Sequence, residues 1–279
     1  MFLAIAISAA FLSAISNGTA VILEKIAVDK INKKNLSSLN LLFQLKNNFN
    51  YLLGIFLDIV AWLFALLAVH RLPLFIVQPI IACSVIVTIF IEIIITKRKL
   101  NIKLILSLSL LIIGLIVLTN VAAPEKAASI SSLTKLFLVL TPIPLAIIGL
   151  VYNTFFNKQA TFVLAAVTGI SFGAIAVVGR ALHFNKNILG IFSNPLLWAI
   201  FIYSIIGMIF FTIALKKASA SFVNTIVIAC ETIFPIIFGI IFFNDHPRHD
   251  LWIEVILGFI FTVLGTIFIL NSIGKEILD

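Results

Sequence analysis

Long hydrophobic runs separated by short polar breaks extend over the whole chain. A bilayer core about 30 Å thick needs about 20 apolar residues at a helical rise of about 1.5 Å each. Nine segments meet this requirement and predict nine transmembrane helices. They are Phe2–Leu23, Asn47–Val69, Pro73–Ile95, Ile102–Thr119, Lys135–Asn153, Ala160–Leu182, Pro195–Leu215, Ala218–Phe243 and Leu251–Leu270. Between the first two, the piece 36–43 is either a short interfacial helix or a degenerate tenth span.

The composition agrees with this pattern. Of the 279 residues, 62% are hydrophobic and only 11% are charged, whereas soluble domains carry about 25% charged residues. These values exclude a soluble enzyme, a disordered chain and a secreted disulfide scaffold. The predicted fold class is therefore an all-α polytopic membrane protein with nine or ten transmembrane helices, embedded in the lipid bilayer.

The sequence lacks the common motifs of catalytic, phosphate-binding and metal-binding sites. It has no phosphate-binding glycine loop, no nucleophile elbow and no metal-binding spacing of His and Cys residues. We therefore expect no enzymatic activity, no cofactor and no nucleic-acid partner. The net charge of +8 is explained by basic loops that orient the helices.

The basic residues are distributed unequally between the two sides of the predicted helices. With the amino terminus outside, 13 of the 19 Lys and Arg residues fall on the inner side and six on the outer side. Cytoplasmic loops carry the excess of positive charge. We therefore predict a cell membrane protein, inner or plasma membrane, with its amino terminus outside and its carboxyl terminus in the cytoplasm. The basic connection 25–46 lies on the inner side.

The two halves of the chain resemble each other. The matched positions are Ala68–Arg71 with Ala214–Lys217, Gln78 with Asn224, Gly114 and Asn120 with Gly265 and Asn271, and Ser16 and Gly18 with Ser171 and Gly173. They divide the chain into a first half (1–125), a linking helix (126–158) and a second half (159–279). Matched helices are an odd number of spans apart and therefore cross the membrane in opposite directions. Such an inverted-topology repeat is typical of secondary transporters, whose substrate site lies near the midplane.

Two carboxyl groups lie near the centres of predicted spans. Asp58 is in the second span and Glu231 is in the eighth. A carboxylate at the bilayer centre costs about 2.5–3.5 kcal/mol on insertion scales, so each should face the interior. There it either binds a cation or coupling proton, or bonds a neighbouring helix. The amides of Asn17, Gln78 and Asn224 either bind the solute or join helices by hydrogen bonds.

Other polar and small residues have positions that suggest structural roles. Gly169-x-x-x-Gly173 predicts close helix packing, and Pro235 leaves a backbone carbonyl one turn earlier without its helical donor. Three further acids lie near predicted span ends, which favours an interfacial position. They are Glu24, Glu92 and Glu254.

The eighth span resembles a known family signature. The stretch from Glu231-Thr232-Ile233-Phe234 to Asn244-Asp245 is similar to the second-half signature of the drug/metabolite transporter superfamily, EamA-like type. That signature has a mid-helix Glu-Pro and an apolar helix closing on Gly-Glu. Thr232 replaces the proline here, Asn244-Asp245 replaces Gly-Glu, and Lys97-Arg98 replaces the closing acid of the first half. The resemblance implies a compact inverted-repeat transporter, by analogy an exporter.

The first half resembles a second group. Pro79 followed by Cys83-Ser84-Val85-Ile86-Val87 is similar to the Pro-x-x-x-x-Ser-Val-Ile-Val stretch of NIPA-type magnesium transporters. These proteins carry an acid in the preceding helix, near the place of Asp58. The resemblance implies a Mg²⁺-binding acid at Asp58, whereas Glu231 resembles the general superfamily; a Mg²⁺ site would use both acids if they approach each other.

Three functions are open at this point. The first is a gradient-driven transporter of a small metabolite or drug-like solute, with Glu231 or Asp58 carrying a coupling proton. The second is a divalent-cation transporter, because Mg²⁺ keeps several waters and needs only one or two carboxylates. The third is a membrane assembly protein without transport. The substrate, its direction of movement and the oligomeric state are left open.

Overall fold

Eleven α-helices follow one another in the residues that the computed structural model describes, which are 2–31, 38–69, 80–97, 102–121, 131–156, 160–181, 194–242 and 251–278. The helices are α1 (Phe2–Asp29), α2 (Ser38–Leu45), α3 (Phe49–Val69), α4 (Ser84–Thr96), α5 (Ile102–Val121), α6 (Ser132–Leu140), α7 (Pro142–Phe155), α8 (Ala160–Ala181), α9 (Pro195–Lys217), α10 (Ala220–Phe242) and α11 (Trp252–Leu278). No strand occurs within these ranges. The predicted all-α fold class is thus confirmed.

Each predicted span coincides with an apolar helical stretch. Five stretches are long and apolar enough to cross a membrane, and four shorter ones account for the remaining predicted spans. The five are Ile5–Asp29, Ser132–Phe155, Ala160–Gly179, Pro195–Lys217 and Trp252–Ile269. The protein therefore has the helices of a membrane protein, while the count of nine crossings stays a prediction.

Three elements differ from the hydropathy pattern. Helix α1 continues past Leu23 to Asp29, because charged side chains do not end a helix. The fifth predicted span is divided at Thr141, where Pro142 begins α7 at a position that needs no N–H donor. Helix α2 has eight residues and is about 12 Å long, which is too short to cross the bilayer.

The chain divides into two compact units. Unit one comprises residues 1–122, 215–225 and 247–279, and unit two comprises residues 123–214 and 226–246. Unit one thus holds α1 to α5, the α9–α10 turn and α11. Unit two holds α6 to α8 and most of α9 and α10.

Close glycine contacts set the helix packing in unit one. Helices α5 and α11 run antiparallel, because Gly114 contacts Thr262 while Gly265 contacts Leu111. A Cβ atom at Gly265 would lie 2.5 Å from the Leu111 backbone nitrogen, so the two backbones touch. Gly114 and Gly265 are matched positions of the predicted repeat. Their helices have the opposite directions that such a repeat requires.

A second matched pair of glycines has similar surroundings in each unit. A Cβ atom at Gly18 of α1 would lie 2.7 Å from the carbonyl oxygen of Ser84 at the start of α4. A Cβ atom at Gly173 of α8 would lie 3.0 Å from the carbonyl oxygen of Glu231 in α10. In the repeat, α1 matches α8 and α4 matches α10. The same kind of glycine-to-backbone contact therefore occurs between equivalent helices of the two halves.

The predicted small-residue motif in α8 is confirmed. Gly169 contacts the Val227 carbonyl oxygen and the Cys230 side chain, one turn before the contact between Gly173 and Glu231. Both glycines therefore face α10. Their missing side chains allow the two helices of unit two to approach at backbone distance.

Candidate functional site

Asp58 and Asn17 meet between α1 and α3 in unit one. The Asn17 amide donates from Nδ2 to Asp58 Oδ1 at 3.3 Å. One turn away, the Ser13 hydroxyl donates to the Ala61 carbonyl oxygen at 2.8 Å. Both predicted residues therefore lie on helix faces that point into the protein, and Asn17 is oriented by the carboxyl group of Asp58.

The other end of the Asn17 amide is not satisfied. Its Oδ1 atom is buried and has no hydrogen-bond donor among the described residues. A buried acceptor without a donor costs about 1–3 kcal/mol. Such an atom is a candidate ligand for a cation or for a hydrogen-bond donor of a bound solute.

Glu24 adds a second carboxyl group to this region. It is only 3% exposed, and its stem lies beside Gly54 of α3, where a Cβ atom would come within 2.6 Å of Glu24 Cγ. Asp58, one turn along α3 from Gly54, is close enough to act electrostatically on Glu24. Within the described parts of the chain, no hydrogen bond or ion pair reaches the Glu24 carboxyl group.

Glu24, expected near the interface, is buried inside the protein against α3, and its depth in a membrane stays a prediction. The hydropathy count ends span one at Leu23, but the helix continues and buries Glu24. A signal was present in the sequence, because the polar stripe of Ser13 and Asn17 reaches Glu24 after two further turns. The stripe spacing of i, i+4 and i+11 places all three on one helix face.

A second polar stripe, on α4, was missed in the sequence. The Thr88 hydroxyl lies within hydrogen-bond distance of the Gly18 and Ser84 carbonyl oxygens, at 3.2 and 3.0 Å. It also accepts from Asn224 Nδ2 at 2.9 Å. Asn224 is buried, and this bond joins α10 to α4; a solute-binding role for Asn224 stays a prediction.

One turn further along α4, Glu92 binds the start of α10. Its carboxyl group accepts from the Ser221 backbone N–H at 2.8 Å and from the Ser221 hydroxyl. The first N–H groups of a helix have no partner within the helix and carry partial positive charge. Glu92 therefore satisfies the Ser221 N–H group at the amino-terminal end of α10.

Two lysines connect the ends of α1 and α9. Lys25 Nζ donates to the Leu215 carbonyl oxygen at 2.8 Å and forms a 2.8 Å ion pair with Asp29. In the opposite sense, Lys216 Nζ donates to the Val28 carbonyl oxygen at 2.8 Å and to the Ile31 carbonyl oxygen. Each helix thus supplies a cation to the carboxyl-terminal carbonyls of the other, where the helix dipole is negative.

Glu231 is the central polar residue of unit two. It is half-buried near the middle of α10, and no hydrogen bond or ion pair to its carboxyl group occurs within the described ranges. Pro235, four residues later, has no N–H, so the Glu231 carbonyl oxygen also lacks its helical donor. Glu231 consequently offers two acceptors, one from the side chain and one from the backbone.

Gln78 lies outside the described residues. Asp58 belongs to unit one and Glu231 to unit two. In the part of the chain that the structure describes, no group of three or more His, Cys, Asp or Glu side chains could hold a metal ion.

Comparison of the chain with protein-family models, curated proteins and solved structures finds no match. The resemblance of Glu231–Asp245 to the drug/metabolite transporter superfamily therefore stays a prediction, and its closing residues lie outside the described range.

Proposed function

We propose that the protein is a secondary transporter, which moves a small solute across the membrane by alternating access at the expense of an ion or solute gradient. The observation that carries this proposal is the burial of Glu24 beside Asp58 between two apolar helices. Intramembrane carboxyl groups are costly and are mostly found on transport pathways and proton relays. A purely structural protein gains little from two such groups on adjacent helices.

The acceptors around Asp58 define what this site binds. Two carboxyl groups and the unsatisfied Asn17 Oδ1 are all acceptors or anions, so their complement is a cation or a proton. Glu231 offers the same chemistry in unit two, with a carboxyl group and a carbonyl oxygen that lacks its donor. A coupling cation or proton that neutralises these groups would make the movement of the solute depend on a gradient.

The helix packing supports the transporter architecture. Matched helices α5 and α11 run antiparallel, and the matched glycines Gly18 and Gly173 have similar contacts in their own units. Both features are expected of an inverted repeat, in which one structural element is used twice in opposite orientations.

Transport of a divalent cation is the second candidate. The pair of Glu24 and Asp58 favours it, because Mg²⁺ binds through one or two carboxylates and keeps part of its water shell. Asn17 Oδ1 would be a third oxygen ligand. This site differs from the one expected from the sequence, which combined Asp58 with Glu231.

Ligand-dependent stability of the purified protein distinguishes the candidates. A ligand that binds the folded state raises the thermal midpoint by mass action. We would measure this midpoint with Mg²⁺, over a pH series, and with amino acids, nucleosides and organic cations. A shift with Mg²⁺ alone selects the divalent-cation function, and a shift with an organic solute selects the first candidate.

Flux into vesicles is the decisive measurement. The ligand selected above is supplied outside proteoliposomes, with and without a proton gradient, and its entry is followed. Glu24→Gln, Asp58→Asn and Glu231→Gln should each reduce entry at least tenfold while the protein still inserts, and Glu254→Gln at the start of α11 is the matched control. Wild-type flux in all three variants, or no ligand and no flux for the wild type, would contradict the proposal and leave an assembly role.

A further inference from the structure

Helix α2 lies beside the ends of two predicted spans. Its residues Leu41 and Leu45 are buried in an apolar cluster that joins three helices. The cluster also contains Val28, in the last turn of α1, and Tyr51, in the first turn of α3. Helix α3 has 21 residues and is about 32 Å long, which matches the hydrocarbon core of about 30 Å. A crossing by α3 therefore brings α2 to the boundary between this core and the headgroups.

The side of α2 opposite the cluster is exposed and carries an aromatic ring. Phe43 is two positions from Leu41 and from Leu45, a rotation of about 200° around the helix axis, and it is 64% exposed. Phe49, the first residue of α3, is 74% exposed. Exposed apolar side chains at the boundary of a bilayer enter its acyl region, so both rings are available to lipid.

A lysine lies directly against this aromatic surface. Lys46 Nζ is 5.4 Å from the centre of the Phe43 ring, and the Lys46 side chain is exposed. The sequence between Asp29 and Asp58 contains four lysines and no acidic residue. Basic clusters directly beside a transmembrane helix attract anionic lipid headgroups. The surface therefore combines an apolar ring with an ammonium group whose complement is an anion.

This charge selects the occupant of the surface. A second copy of the chain would bring the same lysines against it, because a two-fold contact uses one patch on both subunits. An anionic phospholipid instead neutralises the lysines and covers the ring with its acyl chain. We propose that Phe43 and Lys46 bind an anionic phospholipid of the surrounding membrane, with its phosphate group at Lys46 Nζ and its acyl chain along the Phe43 ring.

Spin labels on the protein in vesicles test whether Phe43 contacts lipid. Cys83 and Cys230, the two cysteines of the chain, would first be replaced by alanine. A nitroxide at Phe43→Cys would then be compared with one at Ile59→Cys, exposed near the middle of α3, and one at Lys30→Cys, exposed after the end of α1. The measurement is relaxation by oxygen, which concentrates in lipid, and by a nickel chelate, which stays in water.

We expect oxygen to reach the label at residue 43 more readily than the nickel chelate does, as at Ile59 and unlike Lys30. The same accessibility at residues 43 and 30 would show that α2 lies in water. A label at residue 43 that neither reagent reaches would show that protein covers this face, as a second copy of the chain would. Either result would overturn the proposal.

Native mass spectrometry of the chain with both cysteines tests the headgroup. We expect phosphatidylglycerol to bind at least threefold more tightly than phosphatidylcholine with the same acyl chains. Glycerol 3-phosphate, which has no acyl chain, should not compete with phosphatidylglycerol. Equal binding of the two lipids, or effective competition by glycerol 3-phosphate, would overturn the proposal.

Variants locate the lipid on the protein. Lys46→Gln should abolish the preference for phosphatidylglycerol, and Phe43→Ser should weaken the binding of both lipids. The matched controls are Lys135→Gln on α6 and Phe155→Ser on α7, which change exposed residues elsewhere and should bind lipid as the wild type does. The proposal fails if the α2 variants and the controls behave alike.

Discussion

Glu24 lies in space that exists only because residue 54 is glycine. A Cβ atom at Gly54 would come within 2.6 Å of Glu24 Cγ and 3.2 Å of the Ala20 carbonyl oxygen. The pairing brings a buried carboxyl group next to α3, one turn from Asp58. A glycine in the middle of a helix destabilises it by about 0.5–1 kcal/mol relative to alanine, so this position has a cost that close packing offsets.

Gly54→Ala should therefore destabilise the protein. The added methyl group forces the Glu24 stem to move, and overpacking of this kind costs about 1–3 kcal/mol. The thermal midpoint in detergent is the measurement. Gly179→Ala is the control, because a Cβ atom there would have no neighbour within 4 Å among the described residues, and it should be neutral or slightly stabilising.

A double variant tests whether contact with Glu24 is the reason that Gly54→Ala destabilises the protein. Glu24→Ala removes Cγ, so adding Gly54→Ala to it should cost much less than Gly54→Ala costs alone. Additive effects of the two substitutions would show that the methyl group at residue 54 is excluded by something other than Glu24.

The two glycines of α8 should respond differently to alanine. A Cβ atom at Gly169 would overlap the Val227 carbonyl oxygen, whereas one at Gly173 would meet the Glu231 carbonyl oxygen at 3.0 Å. Because the overlap at Gly169 is deeper than the 3.0 Å contact at Gly173, Gly169→Ala should cost about 1–3 kcal/mol and Gly173→Ala clearly less. Thermal midpoints that fall equally, or in the reverse order, would contradict the close contact at Gly169.

Lys216→Met should destabilise the protein, and Lys217→Met should not. Lys216 donates to the Val28 and Ile31 carbonyl oxygens, and hydrogen bonds of charged groups contribute about 1.5–3 kcal/mol each before solvent screening. Lys216 is half-buried, so solvent screening reduces the contribution of its bonds, and we expect the free energy of unfolding to fall by about 1–2 kcal/mol. The adjacent Lys217 forms no such bond among the described residues. Chemical denaturation of both variants gives the difference, and equal losses would refute the role of Lys216.

The hydrogen bond between Asn224 and Thr88 should contribute to the stability of the folded protein. Asn224→Ala removes a buried donor and leaves Thr88 with its two carbonyl partners. We expect a loss of about 1 kcal/mol, and a coupling of at least 0.5 kcal/mol with Thr88→Val in a double-mutant cycle. Independent effects of the two substitutions would instead favour the solute-binding role for Asn224.

Local patterns predicted the helices, and distant contacts could not be predicted. The apolar runs and the spacing of Gly169 and Gly173 depend on neighbouring residues, so the sequence shows them directly. The bond from Lys25 to Leu215 joins residues 190 positions apart, and nothing in a single sequence pairs them. Glu24 is an intermediate case. The polar stripe that contains it is visible in the sequence, but the hydropathy pattern ends the first predicted span just before this first charged residue.

The length of α1 has a consequence for the depth of Glu24. With 28 residues it is about 42 Å long, which exceeds the hydrocarbon core and equals the full thickness including the headgroups. Val28 in its last turn and Ile31, two residues beyond its end, pack with Leu41 and Leu45 of α2. Helix α2 therefore packs on the carboxyl-terminal end of α1. A membrane of different thickness would be met by a different tilt of α1, while the distance of Glu24 from this packed end stays constant.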